Sequence, residues 1–283
     1  MMERPLRRRQ HHVAPHDWHV IDEGDGPFLL FLHGAGGSSD SMEAMMRPLS
    51  SDFRVFAPDL PGHGKTRAGS TARFSLRAMA EDIGHLVRSQ TDGVFGIIGH
   101  SAGAAIAIAL DRGLSPRGQV LINPALEPFE GVSSWAFPGL AKLLSGLPFA
   151  STALSAGLAN RSAVERLLLA NGSDPTEEQI ARYLALVETP AHVTGTLRMM
   201  AQWDLKRDLP DLARIETPTL IVCGDADPTI PPRVGRRAAD RLPHGRFETR
   251  PGGHLLHEDD PATFAAAIRD FIGVIPDLQS EAR

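Results

Sequence analysis

Cysteine is almost absent. Cys223 is the single one in 283 residues, so no internal disulfide can form and paired-cysteine metal motifs are excluded. Histidine and carboxylates are plentiful, but no H-E-x-x-H spacing occurs, and no metal site is expected. A charge excess is missing too. Twenty-nine Lys and Arg stand against 34 Asp and Glu, a formal net charge of -5, which leaves no electrostatic footprint for nucleic acid or an anionic membrane. The one basic run, Arg7-Arg8-Arg9, is followed by Gln10-His11-His12 instead of an apolar stretch. It does not read as a secretory leader and is expected to be a solvated tail. No apolar run approaches the roughly 20 residues that cross a bilayer. Nucleotide-binding glycine motifs, internal repeats and low-complexity segments are likewise missing. These absences predict a cytoplasmic protein acting on a small-molecule substrate, and nothing in the sequence bears on oligomeric state.

What is present is a large core. Hydrophobic residues make up 42% and charged residues 22%, and the length suits one α/β core carrying an insertion. Short apolar runs at Phe28 to Leu32, Val55 to Ala57, Val94 to Ile98, Val120 to Ile122 and Leu220 to Cys223 read as buried parallel strands with helices between them. Trp18 to Ile21 reads as an antiparallel edge. From Pro124 the strand rhythm stops. Ser162-Ala163-Val164-Glu165 reads as a capping box, and Asp174-Pro175-Thr176-Glu177 as an N-cap with a first-turn proline. The predicted organisation is a core over 1–124, a helical lid over 125–213 and the rest of the core over 214–283. Such an insertion would lie over the carboxyl ends of the strands, where open α/β sheets bind ligands.

Within that frame Ser101 stands out. Gly99-His100-Ser101-Ala102-Gly103 lies between an apolar strand and the small-residue run Ala104 to Leu110. That is the pattern of a strand, tight turn and helix holding a serine hydroxyl above the sheet. A serine is a weak nucleophile until a base takes its proton. Gly224-Asp225-Ala226-Asp227-Pro228 and Gly252-Gly253-His254 supply an acid and a base in the chain order Ser, Asp, His. Asp227 and His254 are the expected partners. Asp225 competes for the acid by spacing, and His257 for the base, with a surface or packing role expected of His257. Glu258, Asp259 and Asp260 read as charges favoured at a helix N-terminus. The backbone N–H groups of Ala35, in His33-Gly34-Ala35-Gly36-Gly37-Ser38-Ser39, and of Ala102 are placed to stabilise a tetrahedral oxyanion.

HGAGGSS at 33–39, DLPGHGKT at 59–66, GHSAGA at 99–104, GDADPTIPP at 224–232 and GGHLLHEDDP at 252–261 together resemble the α/β-hydrolase superfamily. The resemblance implies a mostly parallel, doubly wound sheet with a helical lid. It also implies Ser101 as nucleophile, Asp227 as acid, His254 as base and Ala35 with Ala102 as oxyanion donors, with His63 a fold residue. A serine nucleophile separates the chain from the epoxide hydrolases and haloalkane dehalogenases of this fold, which use aspartate. LINPALEPFEG at 121–131, FPGLAKLL at 137–144 and ETPAHVTGTLRMMAQWDL at 188–205 resemble the hydrolase-type proteins described as magnesium-chelatase accessory factors of bacteriochlorophyll synthesis, which implies a tetrapyrrole pathway. The expected activity is hydrolysis of an ester-type bond with no cofactor. Met199, Met200, Trp203, Trp135 and Phe137 are candidates to line an apolar pocket. The rival expectation is a non-catalytic accessory or tetrapyrrole-binding protein on a hydrolase scaffold.

Overall fold

The computed structural model describes residues 4–128 and 150–273. Eight strands form one sheet: β1 (Arg8–Val13), β2 (His16–Glu23), β3 (Phe28–Leu32), β4 (Arg54–Pro58), β5 (Gly96–His100), β6 (Gly118–Ile122), β7 (Thr219–Gly224) and β8 (Gly245–Arg250). Their spatial order is β1-β2-β4-β3-β5-β6-β7-β8. The β1/β2 and β2/β4 pairs are antiparallel and every other pair is parallel. β3, β5 and β6 are buried along their whole length, which is why their sequences are mostly apolar.

Because side chains alternate across a strand, the same runs feed two cores. Leu30, Leu32, Ile97, Leu121 and Ile221 meet α2 (Leu76–Arg88), α3 (Ala102–Leu114) and α9 (Pro232–Arg241) on one face. Leu29, Phe31, Ile98, Val120 and Val222 meet α1 (Glu43–Met46) and α11 (Pro261–Gly273) on the other. The sheet is therefore covered on both sides, as doubly wound topology requires.

Between β6 and β7 the described chain is helical: α4 (Ala150–Leu158), α5 (Arg161–Ala170), α6 (Glu177–Val187), α7 (Pro190–Gln202) and the single turn α8 (Leu205–Asp208). A second single turn, α10 (Leu256–Asp259), precedes α11. Among the described residues no helix is long and apolar enough to cross a membrane.

Several local expectations need correction. Arg7 to Arg9 is not a solvated tail. Arg8 opens β1 and its guanidinium pairs with Asp40 at 2.8 Å and Glu43 at 2.5 Å. β8 escaped the sequence reading because its GRFETR is polar and half exposed. α5 is capped by Asn160, whose Oδ1 accepts from Ala163 N–H at 2.9 Å, and not by Ser162. α6 is capped by Thr176 in a reciprocal box with Gln179, two residues beyond Asp174.

Cys223 lies inside β7, fully buried under Gly235. Burial, aided by the nearby Asp227 charge, pushes its thiol up to about 12. The native protein at pH 8 is expected to give no rapid colour with Ellman's reagent, and the guanidinium-unfolded chain to release the one thiol. Fast reaction of the native protein would contradict this packing.

Candidate active site

Ser101 sits at the apex of the β5–α3 turn with φ 52° and ψ -114°. This is a conformation that side-chain-bearing residues avoid, and it persists only where the surroundings over-determine it. They do so here. Ser101 N–H donates to Ile122 O at 2.9 Å, while Ser101 O accepts from Ala104 and Ala125 N–H, both at 3.1 Å. The turn brings strand and helix so close that a Cβ on Gly103 would lie 2.1 Å from Leu32 O, and one on Gly99 2.6 Å from Gly103 O. Glycine at both positions is thus a steric requirement.

The loops that carry Asp227 and His254 meet directly. His254 Nδ1 donates to Asp227 Oδ2 at 2.7 Å, and both side chains are buried. The other Asp227 oxygen accepts from Thr229 N–H at 2.7 Å and Ile230 N–H at 2.9 Å. With the His254 proton held on Nδ1 by the carboxylate, the Nε2 lone pair is free to accept a proton. Asp225, the competitor by spacing, is exposed, and its carboxylate accepts the Gly252 N–H at 3.2 Å. His254 lies beside the elbow, because His100, the residue before Ser101, donates Nε2–H to His254 O at 2.9 Å and stacks 4.8 Å from its ring. No hydrogen bond joins Ser101 Oγ to the His254 ring, and such contacts often tighten only when substrate binds.

Three bracing residues were not anticipated. Asn123 at the end of β6 takes Gly224 N–H on its Oδ1 at 2.8 Å, while its amide donates to Gly253 O and His254 O at 3.1 and 2.9 Å. It ties the loop of Asp227 to that of His254. Asn171 in the insertion accepts His254 N–H on its carbonyl at 2.8 Å and Thr229 Oγ1–H on its side chain at 2.6 Å. The third is His100 itself. The only sequence signal was a polar residue at the carboxyl end of an apolar strand, as in Ile122-Asn123-Pro124.

Of the surface or packing role expected of His257, its burial fits packing. The residue is fully buried, its ring lies 4.2 Å from that of His100, and neither of its nitrogens has a hydrogen-bond partner among the described residues. Burial first, then His254 and Arg182, lowers its pKa to about 3. Glu258 stands in the first turn of α10, as expected of a helix N-terminal charge, but its side chain is buried, pairing with Arg182 and accepting from Tyr183 Oη at 2.7 Å, both on α6. Asp260 does lie beside the start of α11, accepting from Thr263 N–H at 3.3 Å.

After β3, His33 Nδ1–H donates to Gly34 O at 2.8 Å and its Nε2 accepts Leu60 N–H at 2.9 Å. Ala35 and Ala102 N–H have no acceptor among the described residues. Both residues line, with Ser101, Met199, Trp203 and Leu205, a cavity of about 480 Å³. Met200 lines it as well. Trp203 Nε1 is buried without a partner among the described residues. Trp135 and Phe137 lie outside the described residues. Among those residues no group of three His, Cys, Asp or Glu is arranged to hold a metal ion.

Comparison with known proteins follows the same lines. The chain is 42% identical over 268 residues to the magnesium-chelatase 30 kDa subunit of Rhodobacter capsulatus, covering 94% of this chain and 93% of that one. It is 28% identical over 260 residues to the pimeloyl-acyl-carrier-protein methyl ester esterase of Aeromonas hydrophila subsp. hydrophila, covering 88% and 97%. The crystal structure of an alpha/beta hydrolase fold protein from Burkholderia ambifaria matches with a TM-score of 0.78 and 25% identity, covering 95% and 100%. The model of the alpha/beta hydrolase family matches residues 29–267, and the chain belongs to that family.

Proposed function

We propose that the chain is a serine hydrolase that cleaves an ester-type bond of a small, largely apolar substrate. The observation that carries this reading is the buried Asp227–His254 pair held beside a serine at positive φ. In the proposed cycle Ser101 Oγ attacks the substrate carbonyl carbon while His254 Nε2 takes its proton. The charge that develops on the carbonyl oxygen is met by the Ala35 and Ala102 N–H groups. Collapse breaks the carbon–oxygen bond, and His254 returns the proton to the leaving alkoxide. Water, deprotonated by the same imidazole, then cleaves the acyl-Ser101 and releases the carboxylic acid.

The helical insertion serves as a lid over this centre, and its Met199 and Trp203 contribute the apolar wall of the cavity. The tetrapyrrole context rests on the name of the Rhodobacter capsulatus relative. That name also favours the second reading, an accessory protein that has kept the scaffold without the chemistry.

A fluorophosphonate probe separates the two. The folded wild type is expected to be labelled at one site, and Ser101→Ala to lose all labelling with an unchanged thermal melt. A folded wild type that takes no label removes the hydrolase reading in favour of the accessory one.

A further inference from the structure

His192 lies on α7, far from the serine in sequence, and no step of the proposed cycle uses it. Its ring is buried, with 3% of the residue exposed. Nδ1 accepts Gly64 N–H at 3.0 Å. A backbone amide can only donate, so the ring proton must sit on Nε2. Nε2–H then donates to Gly36 O at 3.2 Å.

The carbonyl it holds belongs to the loop that carries Ala35. A trans peptide is planar, with its C=O and N–H pointing in opposite directions. Gly36 O and Gly37 N–H are two ends of one such unit, and Gly37 N–H donates to Gly34 O at 3.1 Å. Gly34 O and Ala35 N–H are the two ends of the next. Orienting the first peptide therefore orients the second. His33 Nδ1–H reaches the same Gly34 O at 2.8 Å, so the unit bearing the Ala35 N–H is held by two donors, Gly37 N–H and His33 Nδ1–H.

We propose that His192 is a positioning residue of the oxyanion hole, acting from the lid through the Gly36–Gly37 and Gly34–Ala35 peptides to aim the Ala35 N–H. The packing is built for this reach. α7 approaches the turn after β4 at backbone contact, where a Cβ on Gly195 would lie 2.1 Å from Gly62 O. His63 fills the space between the two histidine clamps, edge-on to His192 at 5.3 Å and tilted against His33 at 5.5 Å. Hydrogen bonds in a chain polarise one another in a dry site, so the developing oxyanion would be felt as far as the Nε2–H. The lid is on this view part of the catalytic framework and not only a cover.

The inference rests on the hydrolase reading, and the experiment keeps the two apart. With p-nitrophenyl butyrate, His192→Phe is expected to lower kcat roughly 10- to 100-fold with KM changed less than about threefold, short of the loss of a whole oxyanion donor. Inhibition by phenylboronic acid, which forms a tetrahedral adduct on serine, should weaken by a similar factor. His192→Gln can present an N–H where Nε2 stood and should recover most of kcat. His192→Asn, which reaches only the Nδ1 position, should not. A folded His192→Phe with wild-type kcat, or with a change in KM alone, overturns the inference. Should that variant not fold, equal kcat for the Gln and Asn variants overturns it. A wild type that neither turns over nor takes the fluorophosphonate sinks both readings, whereas an active wild type indifferent to residue 192 sinks this one alone.

Discussion

Exchanging Asp227 for asparagine is expected to lower turnover of p-nitrophenyl butyrate by about 10⁴-fold while leaving the melting temperature within a few degrees. The expectation comes from hydrogen-bond polarity. Thr229 and Ile230 N–H both donate to Oδ1, and in the variant the amide oxygen must stay there to satisfy them. The amide NH₂ then faces His254 Nδ1, which can only accept from it. The ring proton is forced to Nε2, where it faces the serine and blocks proton transfer. Asp225→Asn serves as the control. Its carboxylate is exposed and touches the Gly252 N–H at 3.2 Å, so a change in kcat/KM under about threefold is expected. A large loss in Asp225→Asn with none in Asp227→Asn would falsify the assignment of the acid.

The parts of this centre that were legible in the sequence are those whose chemistry is local. Gly99 and Gly103 announce the elbow because the turn cannot accept a Cβ at either place. β3 coincides with its apolar run at Phe28 to Leu32 because a strand buried on both faces has no polar positions to blur its ends. β8 was invisible for the opposite reason: as an edge strand it alternates Arg246, Glu248 and Arg250 with Phe247 and needs no apolar run.

What stayed hidden were contacts made across the fold. Asn123, Asn171 and His192 each satisfy backbone groups of a loop distant in sequence, and no spacing rule encodes such a pairing. Glu258 shows the same limit from the other side. Three consecutive acids, Glu258 to Asp260, fit a helix N-terminus equally well by sequence. Only the arrival of Arg182 and Tyr183 from α6 singles out the first as the buried one. Spacing likewise treats Asp225 and Asp227 alike, and only the fold places the Asp227 carboxylate inside and that of Asp225 in solvent.

Mild acid is expected to destabilise this protein, because its interior holds imidazoles that resist charging. Burial first, then His33, lowers the pKa of His192 to about 4, and burial lowers that of His257 to about 3. In the unfolded chain both titrate near 6.5. Between those values the unfolded state binds protons that the folded state refuses. The contribution of each ring to stability is therefore complete above about pH 6.5 and drains as the pH falls toward 4 and 3 respectively. At pH 5 each has cost about 2 kcal/mol, or about 4 kcal/mol for the pair. His33, His63 and His100 are lowered as well, chiefly by burial, and add to the same slope. The carboxyls of Asp111, Glu258 and Asp259 are raised by burial and act in the opposite sense. They offset part of that slope as the pH falls from their raised folded values toward 4. Against a total stability of roughly 5–15 kcal/mol, the melting temperature should fall by about 10 °C or more over that interval. His257→Leu tests the source. It removes two unpartnered ring nitrogens from the interior, so the variant should melt higher at pH 7. Its decline from pH 7 to 5 should also be shallower by about 2 kcal/mol. A decline of unchanged steepness in the variant would mean that the charge enters the fold elsewhere.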